Sequence, residues 1–133
     1  MLVVDSSVWI DFFRGVPRPG VELLQHMLYH GEVKLIVPDL VLFEVLRGFR
    51  HERDHRQARL LMESLAVEST GGAELARIAA QHYRALRSRG ITIASAIDVL
   101  VATYCIENDY ALLHADGDFD AFESLRGLRT WRH

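Results

Sequence analysis

Short apolar runs of about strand length alternate along this chain with stretches of helical periodicity, and that alternation restricts the fold more than any other feature. Leu2–Val4 opens with a strand, Val33–Val37 reads as a second, and Leu65–Val67, Ala111–Leu113 and Leu128–Trp131 follow. Between them lie helical patterns. Val8–Phe13 is expected to be capped by Ser6 or Ser7, and Val21–His30 ends at Gly31. Pro38-Asp39 starts a helix through Leu46 with Asp39 as its cap, and His51–Leu65 is charged and amphipathic. Ala73–Arg89 ends at Gly90 in the C′ position, Ser95 precedes Ala96–Glu107, and Asp118–Leu125 is short. Strands alternating with helices predict an α/β fold: a three-layer α/β/α arrangement around a central, mainly parallel sheet. With 133 residues the expectation is one domain over 1–133.

Composition narrows the function classes. Half of the residues are hydrophobic and a quarter charged, which excludes a disordered chain. The net charge of -3 argues against indiscriminate coating of nucleic acid, so any such binding needs a local patch. The single cysteine, Cys105, sits in an apolar run and cannot form an internal disulfide, which fits a reducing compartment. The start Met1-Leu2-Val3-Val4-Asp5 lacks a basic segment and reaches an acid at once, unlike a signal peptide. No apolar stretch approaches the length of a membrane span. The expected location is cytoplasmic.

The chemistry is carried by acids embedded in apolar sequence. Asp5 ends the first strand, at the carboxyl edge where open α/β sheets bind ligands, although it could equally serve as a helix N-cap. Glu44 is flanked by Leu40, Val41, Leu42, Phe43, Val45 and Leu46, where a carboxylate is costly unless paired or metal-bound. Arg47 has the helical spacing to pair with it; Arg50 does not. Asp98 lies in Ala96-Ile97-Asp98-Val99-Leu100-Val101-Ala102, where Ser95-x-x-Asp98 resembles a capping box. Asp116 follows the strand Ala111–Leu113, in a segment Ala115-Asp116-Gly117-Asp118-Phe119-Asp120 that could be a turn and a cap. Singly each acid has a structural explanation. Jointly they fall at one edge of the expected sheet, where such a cluster repels itself without cations. Oxygen-only donors favour Mg²⁺ or Mn²⁺ over zinc, and the chemistry implied is hydrolysis by metal-activated water.

These segments resemble a known family. Met1-Leu2-Val3-Val4-Asp5-Ser6-Ser7-Val8-Trp9-Ile10-Asp11 is similar to the opening of PIN-domain proteins, and more closely of the VapC toxins of toxin–antitoxin pairs. Glu44-Val45-Leu46-Arg47-Gly48, Asp98-Val99-Leu100-Val101-Ala102-Thr103 and Asp116-Gly117-Asp118-Phe119 resemble the later motifs, in order and across essentially the whole chain. The resemblance implies a Mg²⁺- or Mn²⁺-dependent endoribonuclease, held inactive by a cognate VapB-like antitoxin and often a homodimer. Carried over, Asp5, Glu44, Asp98 and Asp116 would be catalytic and metal-binding. Asp118 would be an outer or second-metal ligand, and Ser7 a polar neighbour. Many members have Ser or Thr two residues before the fourth acid; here it is His114, which could contact substrate phosphate or a metal-bound water, or be structural.

A receiver domain needs a lysine near the end of a late strand, and the only lysine, Lys34, is in the second. A haloacid-dehalogenase-type phosphatase needs an Asp where Ser7 stands. A PIN-fold nuclease acting in RNA processing or on DNA, and a non-catalytic PIN-fold binding module, remain as alternatives. His51 and His55 have the i, i+4 spacing of a metal pair but no third ligand in view. Arg50, Arg53 and Arg56, and Arg84 with Arg87, could line helical faces that grip phosphates or be ordinary surface charge. The face of Trp9, Ile10, Phe12 and Phe13 suits core packing, or a dimer or antitoxin groove.

Overall fold

In a computed structural model describing residues 1–132, the order is β1 (Leu2–Val4), α1 (Ser6–Arg14), α2 (Pro19–His30), β2 (Leu35–Pro38) and α3 (Asp39–Leu46). There follow α4 (Glu52–Glu63), β3 (Ala66–Glu68), α5 (Gly72–Arg87), α6 (Ala96–Asn108), β4 (Ala111–Leu113), a 3₁₀ turn over Gly117–Phe119, and α7 (Asp120–Arg126). The sheet order is β3-β2-β1-β4 and every pair is parallel. This is the α/β architecture expected from the alternating pattern. Leu2, Val3, Val4, Ile36, Val37, Leu112 and Leu113 are at most 1% exposed, as a sheet covered on both faces requires.

That strand order fixes where a site can be. The chain steps outward from β1 to β2 to β3, then returns to lay β4 on the other side of β1. The connections leaving β1 and β4 therefore diverge, opening a crevice at their carboxyl ends. The register Val4↔Leu113, with the Asp5 amide donating to the Leu113 carbonyl at 2.8 Å, sets Asp5 at its mouth.

Several local expectations change in detail. Asp5, not Ser6 or Ser7, caps α1: a carboxylate one residue earlier reaches the Ser7 amide, so the helix begins at Ser6. Asp39 is the first residue of α3 rather than its side-chain cap, and its carboxylate accepts from Thr70 instead. Val33 lies outside β2, and α4 ends at Glu63. The stretch Leu128–Trp131 adds a single parallel bridge, Leu112↔Thr130, rather than a strand. The helix expected over Asp118–Leu125 starts as the 3₁₀ turn and becomes α-helical at Asp120. Trp9 is fully buried, stacking on Phe13 at 5.9 Å, so most of that aromatic face belongs to the core. No helix among the described residues is long and apolar enough to cross a membrane.

Candidate metal centre

Asp5 terminates β1 and caps α1 with one oxygen only. Its Oδ2 accepts from the Ser7 amide at 3.0 Å and from the Ser7 hydroxyl at 2.7 Å. Its Oδ1 is buried and has no hydrogen-bond partner among the described residues, an expensive arrangement for a residue that is 2% exposed. Capping the helix thus uses Oδ2 and leaves Oδ1 over.

Glu44 comes from α3, whose preceding strand β2 is the neighbour of β1. The Ser6 hydroxyl donates to its Oε1 at 3.0 Å, while Arg47 approaches Oε2 only to 4.0 Å. The helical ion pair is therefore present but long, and Arg47 is largely exposed, so it offsets little of the burial of Glu44. Ser6 is the residue that sequence reasoning missed here. Its adjacency to Asp5 was visible, but a hydrogen bond across 38 positions was not.

Asp98 sits in the first turn of α6 and is 6% exposed. Ser95 caps that helix by accepting from the Asp98 amide at 3.3 Å. Among the described residues no bond returns from the Ser95 amide to the Asp98 carboxylate, so only half of the capping box forms and the side chain stays available. Asp116 follows β4 and caps the 3₁₀ turn, its Oδ1 accepting from the Asp118 amide at 2.9 Å. Ser7 ties this loop to β1. Its hydroxyl, donating to Asp5, also accepts from the Ala115 amide at 3.2 Å. The Asp116 amide donates to His114 Nδ1 at 3.3 Å, and the His114 ring lies 5.0 Å from Phe119. His114 therefore contacts this loop at both the Asp116 amide and the Phe119 ring.

The carboxylates gather in two groups that share one member. Oxygens of Asp5, Glu44 and Asp98 lie within 4.8 Å of one another, and so do oxygens of Asp98, Asp116 and Asp118. Burial, with Asp116 and Asp5 nearby, pushes the Asp98 carboxyl up to about 7, Asp5 being the first of the charges that add to it. Burial also raises Asp5 and Glu44 above the ordinary carboxylate range, against the lowering effect of the Ser7 and Ser6 hydrogen bonds. Glu68, another acid at a strand end, makes the contrast. The hydroxyls of Tyr104 and Tyr110 donate to it, so its charge is partnered within the fold. His51 and His55 join no group of three or more metal-ligating side chains among the described residues.

A divalent cation fits this arrangement on three grounds. The donors are all oxygens, the orphaned Asp5 Oδ1 lacks only an electropositive partner, and each group offers three carboxylates to one point. Such donors suit Mg²⁺-class ions rather than zinc.

Comparison with known proteins follows the same lines. Residues 2–125 match the PIN domain family model. Ribonuclease VapC11 of Mycobacterium tuberculosis is 26% identical over 130 residues, spanning 98% of this chain and 97% of its own. VapC ribonuclease Mb1587 of Mycobacterium bovis is likewise 26% identical over 130 residues, with 98% and 97% covered. Among solved structures, VapBC2 from Rickettsia felis, bound to a DNA fragment from its promoter, superposes with a TM-score of 0.75 at 14% identity, covering 98% of each chain. Mycobacterium tuberculosis VapC20, described as a Sarcin-Ricin loop cleaving toxin, gives 0.73 at 19% identity with 100% of both chains covered. At these identities the structures show a common fold.

Proposed function

The chain belongs to the PIN-domain family, and from that premise we propose that it is a Mg²⁺- or Mn²⁺-dependent endoribonuclease acting as the toxin of a toxin–antitoxin pair. The ribonuclease names of its full-length relatives, and the VapBC assemblies among its structural neighbours, support RNA as substrate and a VapB-like protein as antitoxin. The observation that carries the reading is the pair of carboxylate groups joined through Asp98, one of which includes Asp5 with its unpartnered Oδ1.

In this reading Asp5, Glu44 and Asp98 hold one cation, and Asp98, Asp116 and Asp118 offer a second position. When bound, such ions lower the pKa of a water and neutralise charge on the phosphodiester. The chain's own residues supply the framework. Ser7 fixes the rotamer of Asp5 and its distance from the Asp116 loop, and Ser6 fixes Glu44. His114 holds the loop amide of Asp116. Asp5 and Asp98 are themselves buried.

Replacing Asp98 tests this directly, because it belongs to both groups. Purified Asp98→Asn protein is expected to lose Mg²⁺-dependent cleavage of single-stranded RNA by at least a thousandfold while keeping its circular dichroism spectrum. Undiminished cleavage sinks the site. The toxin role has its own test: expression of the wild-type chain alone should arrest growth, and co-expression of a small neighbouring-gene protein should relieve it. Harmless accumulation of folded, soluble wild-type protein would count against that role.

A further inference from the structure

The carboxylate groups are uniformly negative, so a polyanionic substrate needs a favourable contact close to them. One lies on α3. Phe43 is 52% exposed, and of the large exposed hydrophobic side chains among the described residues it alone is adjacent in sequence to a member of the carboxylate groups. The Arg47 guanidinium lies over its ring, 5.3 Å from the centroid, and reaches to 4.0 Å from Glu44 Oε2. The side chain of Arg47 is itself 58% exposed. A cation stacked on an open aromatic ring at the rim of an acidic site has a poor structural rationale. The residue leaves about half of its surface in solvent, and the ion pair is long and solvated. The same pair matches single-stranded RNA well. Unstacked bases lie on aromatic rings and guanidinium planes, and the guanidinium edge grips phosphate.

Resting on the ribonuclease reading above, we infer that Phe43 and Arg47 form a nucleotide-binding step beside the carboxylates. It takes the base and phosphate of one nucleotide flanking the scissile bond of single-stranded RNA. Arg47 turns from Glu44 to the phosphate as the strand enters, and a base extends the Arg47–Phe43 stack. Both are positioning residues, touching substrate away from the reacting bond.

The test reads binding apart from cleavage. A fluorescein-labelled ten-nucleotide single-stranded RNA is titrated in Mg²⁺ against full-length protein carrying Asp116→Asn to suppress turnover, with and without changes at the two positions. Phe43→Ala should weaken binding about 5- to 100-fold, as expected for one stacked base, and Phe43→Trp should restore it. Arg47→Ala should lower the slope of log affinity against log salt by about 0.7, the release of one single-strand phosphate contact. Arg47→Lys should keep the slope but not the full affinity. In proteins retaining Asp116, Phe43→Ala should raise KM with little change in kcat. Unchanged RNA affinity and salt slope in both alanine variants overturn the inference. They do so equally if those variants instead lose the antitoxin, since the step would then be a protein-binding surface. RNA cleavage unaffected by either substitution leaves the nuclease reading without this inference; Phe43- and Arg47-dependent binding without cleavage does the reverse.

Discussion

Neutralising Asp98 should stabilise the metal-free protein, and the gain should grow with pH. The Asp98 carboxyl is held at about 7 in the fold, first by burial and then by the charges of Asp5, Asp116, Glu44 and Asp118, against an ordinary value of 3.8. A group whose folded pKa is raised keeps its proton longer in the folded state. Stability is therefore lost as pH climbs from about 4 through about 7, and the loss is complete above that. At about 1.36 kcal/mol per unit, the penalty has a ceiling of about 4 kcal/mol at pH 8. Water entering an open site and rotation of neighbouring carboxylates reduce this to roughly 1–3 kcal/mol. Asn keeps the shape of Asp without the charge. In EDTA, Asp98→Asn should therefore melt higher than wild type at pH 8, by roughly 4 °C per kcal/mol for a chain of this size. At pH 5 much of the gap should close. Adding Mg²⁺ at pH 8 should raise the wild-type melting temperature more than that of the variant, because a cation that binds only the folded state adds RT ln(1 + [L]/Kd). Equal stabilities at pH 8, or a gap indifferent to pH, would refute the picture of a mutually repelling buried cluster.

Further outcomes are expected elsewhere in the molecule. Ser7→Ala removes both the bond to Asp5 and the one to the Ala115 amide; RNA cleavage should fall at least tenfold while urea unfolding shifts by about 1 kcal/mol, and equal activity would remove Ser7 from the site framework. Buried His82 accepts from Arg126 Nε at 2.9 Å, and burial followed by the Arg126 charge lowers its pKa, with Glu107 opposing. Its folded pKa being depressed, stability is intact above about 6.5 and declines as pH falls below it. His82→Gln should flatten the dependence of melting temperature on pH between about 6.5 and 5; an unchanged profile would show that the histidine is already solvated.

How much of this was legible in the sequence depended on the range of the interaction. The strands β1, β2 and β4 were readable because each is an apolar run too short for a helix, and a buried parallel sheet demands such runs. The edge strand β3 is less buried, yet its position was close to that expected. The last segment was misjudged because alternation in Leu128–Trp131 signals extended backbone, and whether that backbone pairs along its length depends on where α7 delivers it. The same division holds in the site. Glu44 and Asp98 stood out as charges in apolar surroundings, and Asp5 and Asp116 as acids directly after a strand, all local properties. Ser6 reaching Glu44, and Ser7 spanning to Ala115, link residues 38 and 108 positions apart, and nothing local distinguishes those serines from ordinary helix-start residues.

The structural and functional readings of the acids are not rivals, because a carboxylate has two oxygens and the fold uses them separately. Asp5 gives Oδ2 to Ser7 and leaves Oδ1 unpartnered; Asp116 gives Oδ1 to the Asp118 amide while its carboxylate still reaches the group around Asp98. Capping holds the Asp5 and Asp116 side chains in place, so less rotamer freedom remains to be lost when a ligand arrives. Preorganisation of this kind follows from placing Asp5 and Asp116 where helical turns begin; Glu44, in the last turn of α3, is held by the Ser6 hydroxyl instead. The sheet's switch point brings the leaving ends of β1 and β4 together, and the first turn of α6 is presented to the same crevice. A carboxylate at a helix start is favoured locally, whereas several converging at one crevice repel one another. The local gain at the caps of Asp5 and Asp116 helps the fold tolerate a cluster whose repulsion protonation or a bound cation would relieve.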